Sequence, residues 1–95
     1  MTADTISLTD RPLRNPDCAY RAIEDEGGLV VLPGRGEVKV LNAVGVKVFS
    51  LLDGKNTVEE IVAAVTGEFE VPADEVRDDV RAFLGELAKN GMLAG

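Results

Sequence analysis

Histidine and tryptophan are missing from this 95-residue chain, and cysteine occurs once, at Cys18. Without histidine there is no side chain that ordinarily titrates near neutral pH, and the commonest transition-metal ligand is gone. A Ser-His-Asp triad and a Cys-His pair are excluded outright. A lone cysteine supplies neither an intrachain disulfide nor a Cys-rich zinc site. No catalytic or metal-binding set is assigned, and no cofactor is expected. Aromatic residues are scarce too, with one Tyr and three Phe, so the core must be built from Val, Leu, Ile and Ala. No apolar run approaches the ~20 residues needed to cross a bilayer. Met1–Asp10 has no apolar centre of the kind that marks a signal peptide. The expectation is a cytoplasmic protein without a membrane partner.

Basic residues are the minority, 10 against 17 acidic ones, for a net charge of −7. The excess is uneven: residues 1–55 carry a net −1 and residues 56–95 a net −6. An acidic C-terminal half repels phosphate backbones, so nucleic acid is not expected as a partner.

The length is that of one compact domain. Residues 1–17 hold two prolines (Pro12, Pro16) and no sustained periodicity, and read as a flexible, loosely attached tail. The domain is expected over residues 18–95. Three short strands come first: Tyr20 to Glu24, Leu29 to Leu32 and Glu37 to Leu41. Asp25-Glu26-Gly27-Gly28 and Pro33-Gly34-Arg35-Gly36 separate them, and such short turns favour an antiparallel meander. In the third strand Val38 and Val40 alternate with Glu37 and Lys39.

At Asn42 the period changes. Asn42 is a good N-cap, and Val44, Val48, Leu51 and Leu52 recur at helical spacing up to a stop at Asp53-Gly54. Thr57 and Glu60 have capping-box spacing and open a second helix with Val58, Ile61, Val62, Val65 and Phe69 on one face. Gly67 weakens its last turn. Pro72, Asp74 and Glu75 suit a third helix start, followed by a stripe of Val76, Val80, Phe83, Leu84 and Leu87. Asn90-Gly91 ends it, and Met92 and Leu93 are placed to fold back on the stripe. The fold class is α+β, winged helix-turn-helix-like, with a three-stranded antiparallel β-meander followed by three α-helices.

Neighbouring acid pairs such as Glu59/Glu60 and Asp78/Asp79 point ~100° apart on a helix, so they do not converge on one atom and read as exposed charge. Gly34-Arg35-Gly36 lacks the spacing of a phosphate-cradling loop. The last two helices could form a helix-turn-helix for DNA, but Arg77, Arg81 and Lys89 are outnumbered there by Asp74, Glu75, Asp78, Asp79 and Glu86. The chain is not read as an enzyme. A third class is peptide binding: the last strand of a meander is an edge, and its unpaired backbone groups can accept an extended peptide. Against this stands the possibility that Lys39 guards the edge from aggregation.

From Val38 onward the chain resembles the PqqD family, the RiPP recognition elements. Val40-Leu41-Asn42 matches that family's strand-to-helix "LN" step, and Leu51-Leu52-Asp53-Gly54 its "L-C/L-D-G" helix end. Thr57-Val58-Glu59-Glu60-Ile61-Val62 matches "T-V-x-E-I-V", Asp79-Val80-Arg81-Ala82-Phe83-Leu84 matches "D-V-x-x-F-L", and Gly91-Met92-Leu93 the closing "G-L/W-L/I". The resemblance implies a non-catalytic peptide chaperone. Such a protein binds the leader of a ribosomally made precursor peptide by β-strand addition. It then presents the peptide to a radical SAM or other modifying enzyme, as in pyrroloquinoline quinone (PQQ) biosynthesis. It further implies a peptide-binding strand at Val38, Lys39, Val40 and Leu41, and a helical wall drawn from Val76, Asp79, Val80 and Phe83. For Val76, Val80 and Phe83 ordinary core packing is the competing role. The turn departs from the family: Pro33 is followed by Gly34 without the Glu of "L-x-P-E-G". The alternative is therefore a lasso-peptide or other RiPP cluster and, behind it, a winged-helix DNA-binding regulator. A monomer or weak homodimer is expected, since an exposed edge lets two copies pair.

Overall fold

A computed structural model describes residues 7–23 and 27–94. Strands β1 (Ala19–Ala22), β2 (Gly28–Leu32) and β3 (Glu37–Leu41) form one antiparallel sheet in the order β1-β2-β3. Helices α1 (Ala43–Ser50), α2 (Val58–Phe69) and α3 (Ala73–Lys89) follow. The β3 bounds are those expected, whereas β1 begins one residue early and ends at Ala22; Glu24, its expected last residue, lies outside the described residues.

Strands β2 and β3 alternate as a half-buried sheet requires, whereas β1 is exposed along its length. Val30, Leu32 and Leu41 point to the core, while Val38 and Val40 face outward and are 61% and 79% exposed. Gly27 sits at φ 109, and a Cβ there would run into the Leu41 carbonyl, so this tight reversal demands glycine.

Each helix begins and ends for a local reason. The Asn42 side chain accepts the Gly45 N–H at 2.8 Å and caps α1. That helix stops at Ser50, short of the Asp53-Gly54 end expected. Asp53 instead folds the following loop, its carboxylate accepting the N–H groups of Lys55 and Asn56 at 2.9 and 3.0 Å. Thr57 and Glu60 complete both halves of the capping box at 3.1 and 2.8 Å. Pro72 takes the N-cap position of α3. At its far end Gly91 is left-handed, and Met92 N–H donates to Leu87 C=O at 2.9 Å, turning Met92 into the core.

Residues 7–17 revise the expectation of a loose tail; residues 1–6 lie outside the described residues. Val58 N–H donates to Asp10 C=O at 2.9 Å, Gly54 N–H to Pro12 C=O at 3.0 Å, and Arg14 N–H to Leu52 C=O at 2.9 Å. Asn15 N–H then reaches Met92 C=O at 2.9 Å, and Ala94 N–H donates to Leu13 C=O at 2.8 Å. The segment is a strap binding the α1–α2 loop to the C-terminus. Arg14 also lies 5.3 Å from the Tyr20 ring centroid, and Tyr20 meets Phe49 edge-on at 5.2 Å.

The Asp53 carboxyl is held below the usual carboxylate range, chiefly by the Lys55 and Asn56 N–H groups, and the Glu60 carboxyl likewise by the Thr57 N–H and hydroxyl. Lowered carboxyl pKa values stabilise the fold above the ordinary carboxylate range, and that contribution is lost as pH falls through the depressed values. Urea midpoints measured from pH 7 to 3 should therefore hold level and then drop below about pH 4.5. Asp53→Asn and Glu60→Gln should start lower at pH 7 and fall less steeply.

Candidate groove between the edge strand and the last helix

The direction of each backbone group in β3 follows from one hydrogen bond. Ile23 N–H donates to Gly27 C=O at 2.6 Å, so these residues form a hydrogen-bonded pair. Bonded and non-bonded pairs alternate in an antiparallel ladder. Gly27, Leu29 and Val31 therefore turn their backbone groups to β1, and Gly28, Val30 and Leu32 turn theirs to β3. Their partners Leu41, Lys39 and Glu37 are thus engaged inside the sheet. Val38 and Val40 are left with N–H and C=O groups aimed away from it. β3 pairs only with β2 among the described residues, and the strap crosses elsewhere.

Beside this open edge lies a groove of about 440 Å³ whose opposite wall is α3. Its floor is apolar: Val76 and Val80 are buried, with Val48 of α1 and Val65 of α2 beneath. Phe83, partly buried against the core, and the exposed Asp79 stand on the wall. Lys39, Val40 and Leu41 line the strand side. The structure thus brings Lys39, Val40, Leu41, Val76, Asp79, Val80 and Phe83 together around one groove. Val38 does not line the groove; its side chain lies on the outer sheet face and only its backbone is available at the edge.

Lys39 does not stand guard along the edge. Its ammonium crosses to α3 and pairs with Glu86. Glu75 and Glu86 also line the groove and were not singled out from sequence. Their signal was present, because Glu75, Asp79, Phe83 and Glu86 recur at four-, four- and three-residue steps along one side of a helix. Among the described residues, no cluster of three His, Cys, Asp or Glu side chains could hold a metal, and no helix is long and apolar enough to cross a membrane. Chemically, the arrangement offers two outward amide–carbonyl sets over an apolar trough with an acidic wall. It can bind an extended chain.

Comparison with known proteins gives a consistent picture. The family described as Coenzyme PQQ synthesis protein D (PqqD) matches residues 28–93. A protein of Rhizobium meliloti (strain 1021) named PqqA binding protein is 29% identical over 94 residues, covering 98% of this chain and 96% of that one. The structure of TbiB1 in complex with the TbiA(beta) leader peptide superposes with a TM-score of 0.74 at 32% identity, over 87% of this chain and 95% of the other. The PqqD truncation of Methylobacterium extorquens PqqCD, a stand-alone RiPP recognition element, shares the fold with a TM-score of 0.79 at 23% identity, over 100% of both chains.

Proposed function

The chain belongs to the PqqD family, and from that premise we propose that it binds the leader of a ribosomally made precursor peptide as a fourth strand on β3. The observation that carries this reading is the pair of outward-facing backbone sets at Val38 and Val40 beside the α3 groove. Strand addition fits both features. Backbone hydrogen bonds supply affinity for any extended chain, and side chains that alternate into the groove supply selectivity. The residues doing so are Val38 and Val40 through their backbone, and Lys39, Leu41, Val76, Asp79, Val80 and Phe83 through the groove.

The protein itself is non-catalytic in this reading. It holds the leader so that a modifying enzyme, of the radical SAM or another class, meets the attached core peptide at raised effective concentration. The domain is best taken to include the strap. A second reading concerns only the pathway: likeness to a leader-bound RiPP protein, together with the missing Glu after Pro33, favours a cluster other than the one for PQQ.

Amide hydrogen exchange with and without leader peptide tests the strand geometry. Without peptide, the Val38 and Val40 amides should exchange fast and the Lys39 and Leu41 amides slowly. With peptide, the two valine amides should become protected. Protection gained elsewhere, with Val38 and Val40 unchanged, overturns strand addition.

A further inference from the structure

We infer that the groove selects peptide segments carrying a lysine or arginine two residues from an apolar anchor, with Glu75 and Asp79 reading the cation. The inference rests on the groove being where the peptide lies, and it adds what kind of peptide lies there.

The starting point is the charge of the groove. Its acidic side chains are Glu75, Asp79 and Glu86, against the single cation Lys39. Lys39 is already neutralised by Glu86, and its side chain is only 17% exposed, so it is held rather than free to move to another acid. Two further cations, one on α1 and one on α3, are engaged: Lys47 pairs with Glu68 at 3.6 Å and Arg77 with Asp74 at 3.0 Å. Among the described residues, Glu75 and Asp79 enter no ion pair. Two carboxylates thus face the groove at i, i+4 spacing on α3, where like charges repel and a bound cation relieves both.

The geometry suits a long cationic side chain. Val76 and Val80 form a buried apolar floor beside the two acids. A Lys or Arg lying there covers the valines with its methylene stem and sets its charged head at the carboxylates. Phe83, one turn beyond Asp79, offers the neighbouring apolar seat. The spacing also matches. Asp79 and Phe83 are separated by about 6 Å along the helix axis, close to the roughly 6.8 Å between alternate residues of a strand. A carboxylate at the same place in the peptide meets two like charges over an apolar floor and is rejected.

The test uses a phage-displayed library of random dodecapeptides selected against the full chain, the Val40→Pro variant and the Glu75→Gln/Asp79→Asn variant. On the parent, enriched peptides should carry Lys or Arg two residues from an apolar residue, with Asp and Glu depleted there. A selected basic peptide should bind the double variant about tenfold more weakly at low salt. The same peptide with norleucine in place of the cation should bind parent and variant alike. Peptides retained equally by Val40→Pro overturn strand addition. Peptides lost on Val40→Pro but showing no basic bias, or binding the double variant as tightly as the parent, overturn this inference alone. Absence of any enrichment overturns both.

Discussion

A Val40→Pro variant is expected to keep its fold and to bind leader peptide about 10- to 100-fold more weakly than the parent. The residue is chosen because its N–H points away from the sheet, so proline removes no bond of the β2–β3 ladder. Edge strands tolerate proline on their outward positions for this reason. The added strand, however, loses a donor. Its carbonyl is left unpaired over the groove, which costs about 1–3 kcal/mol, and the pyrrolidine ring stands where the peptide backbone would approach. A Val40→Ala control keeps the donor and should stay within a few-fold of the parent. Calorimetric titration measures the affinity, and slow exchange at the Lys39 amide certifies that the ladder survives. Should Val40→Pro disturb the sheet, Val38→Pro repeats the experiment at the other outward amide. Unchanged affinity in a folded variant removes the strand-addition reading.

The largest loss of stability is expected at Phe49. The side chain is fully buried, and its ring meets Tyr20 edge-on at 5.2 Å. Truncating a buried Phe to Ala typically costs about 3–5 kcal/mol, combining lost transfer energy with the cavity left behind. A domain of this size has roughly 5–15 kcal/mol in total, so Phe49→Ala removes a large share. Each kcal/mol shifts the midpoint of a 60–100-residue domain by about 4–8 °C, which puts the expected fall in Tm at roughly 12–40 °C. Tyr20→Leu should cost less, and the double variant less than the sum, because the aromatic pair is counted in both singles. Strict additivity would show that the ring contact contributes nothing beyond burial.

These two residues also mark how far sequence reasoning reached. The β3 strand was legible to the residue because Val38 and Val40 alternate with charged neighbours between a Pro-Gly turn and an N-capping Asn42. The helices were legible for the same kind of reason: period and caps are local properties. What depended on distant packing was not. The strap is held by backbone bonds from Asp10, Pro12, Arg14 and Asn15 to residues dozens of positions away, and such bonds leave no periodic trace. Lys39 was open to two readings, edge guard or part of a binding strand, and its pairing with Glu86 depends on where α3 packs. Phe49 lay outside the predicted apolar stripe of α1, yet it is fully buried under Tyr20. Glu75 shared a helical face with Asp79 in plain view, but only the packing of α3 shows that this face meets the groove.

Part of the strap reaches far along the chain: Asn15 bonds to Met92 and Leu13 to Ala94, and Arg14 forms a bridge with Leu93. Those partners follow all three strands and all three helices in chain order, so they are synthesised after them. The sheet and first helices can assemble while translation continues, and with them the bonds from Asp10, Pro12 and Arg14, but Leu13 and Asn15 gain these later partners only once Met92 and Ala94 have emerged from the ribosome. Contacts of such long sequence separation form late and slowly. A nascent chain that has emerged as far as Asn90 should therefore already carry the open β3 edge while Leu13 and Asn15 still lack these later partners.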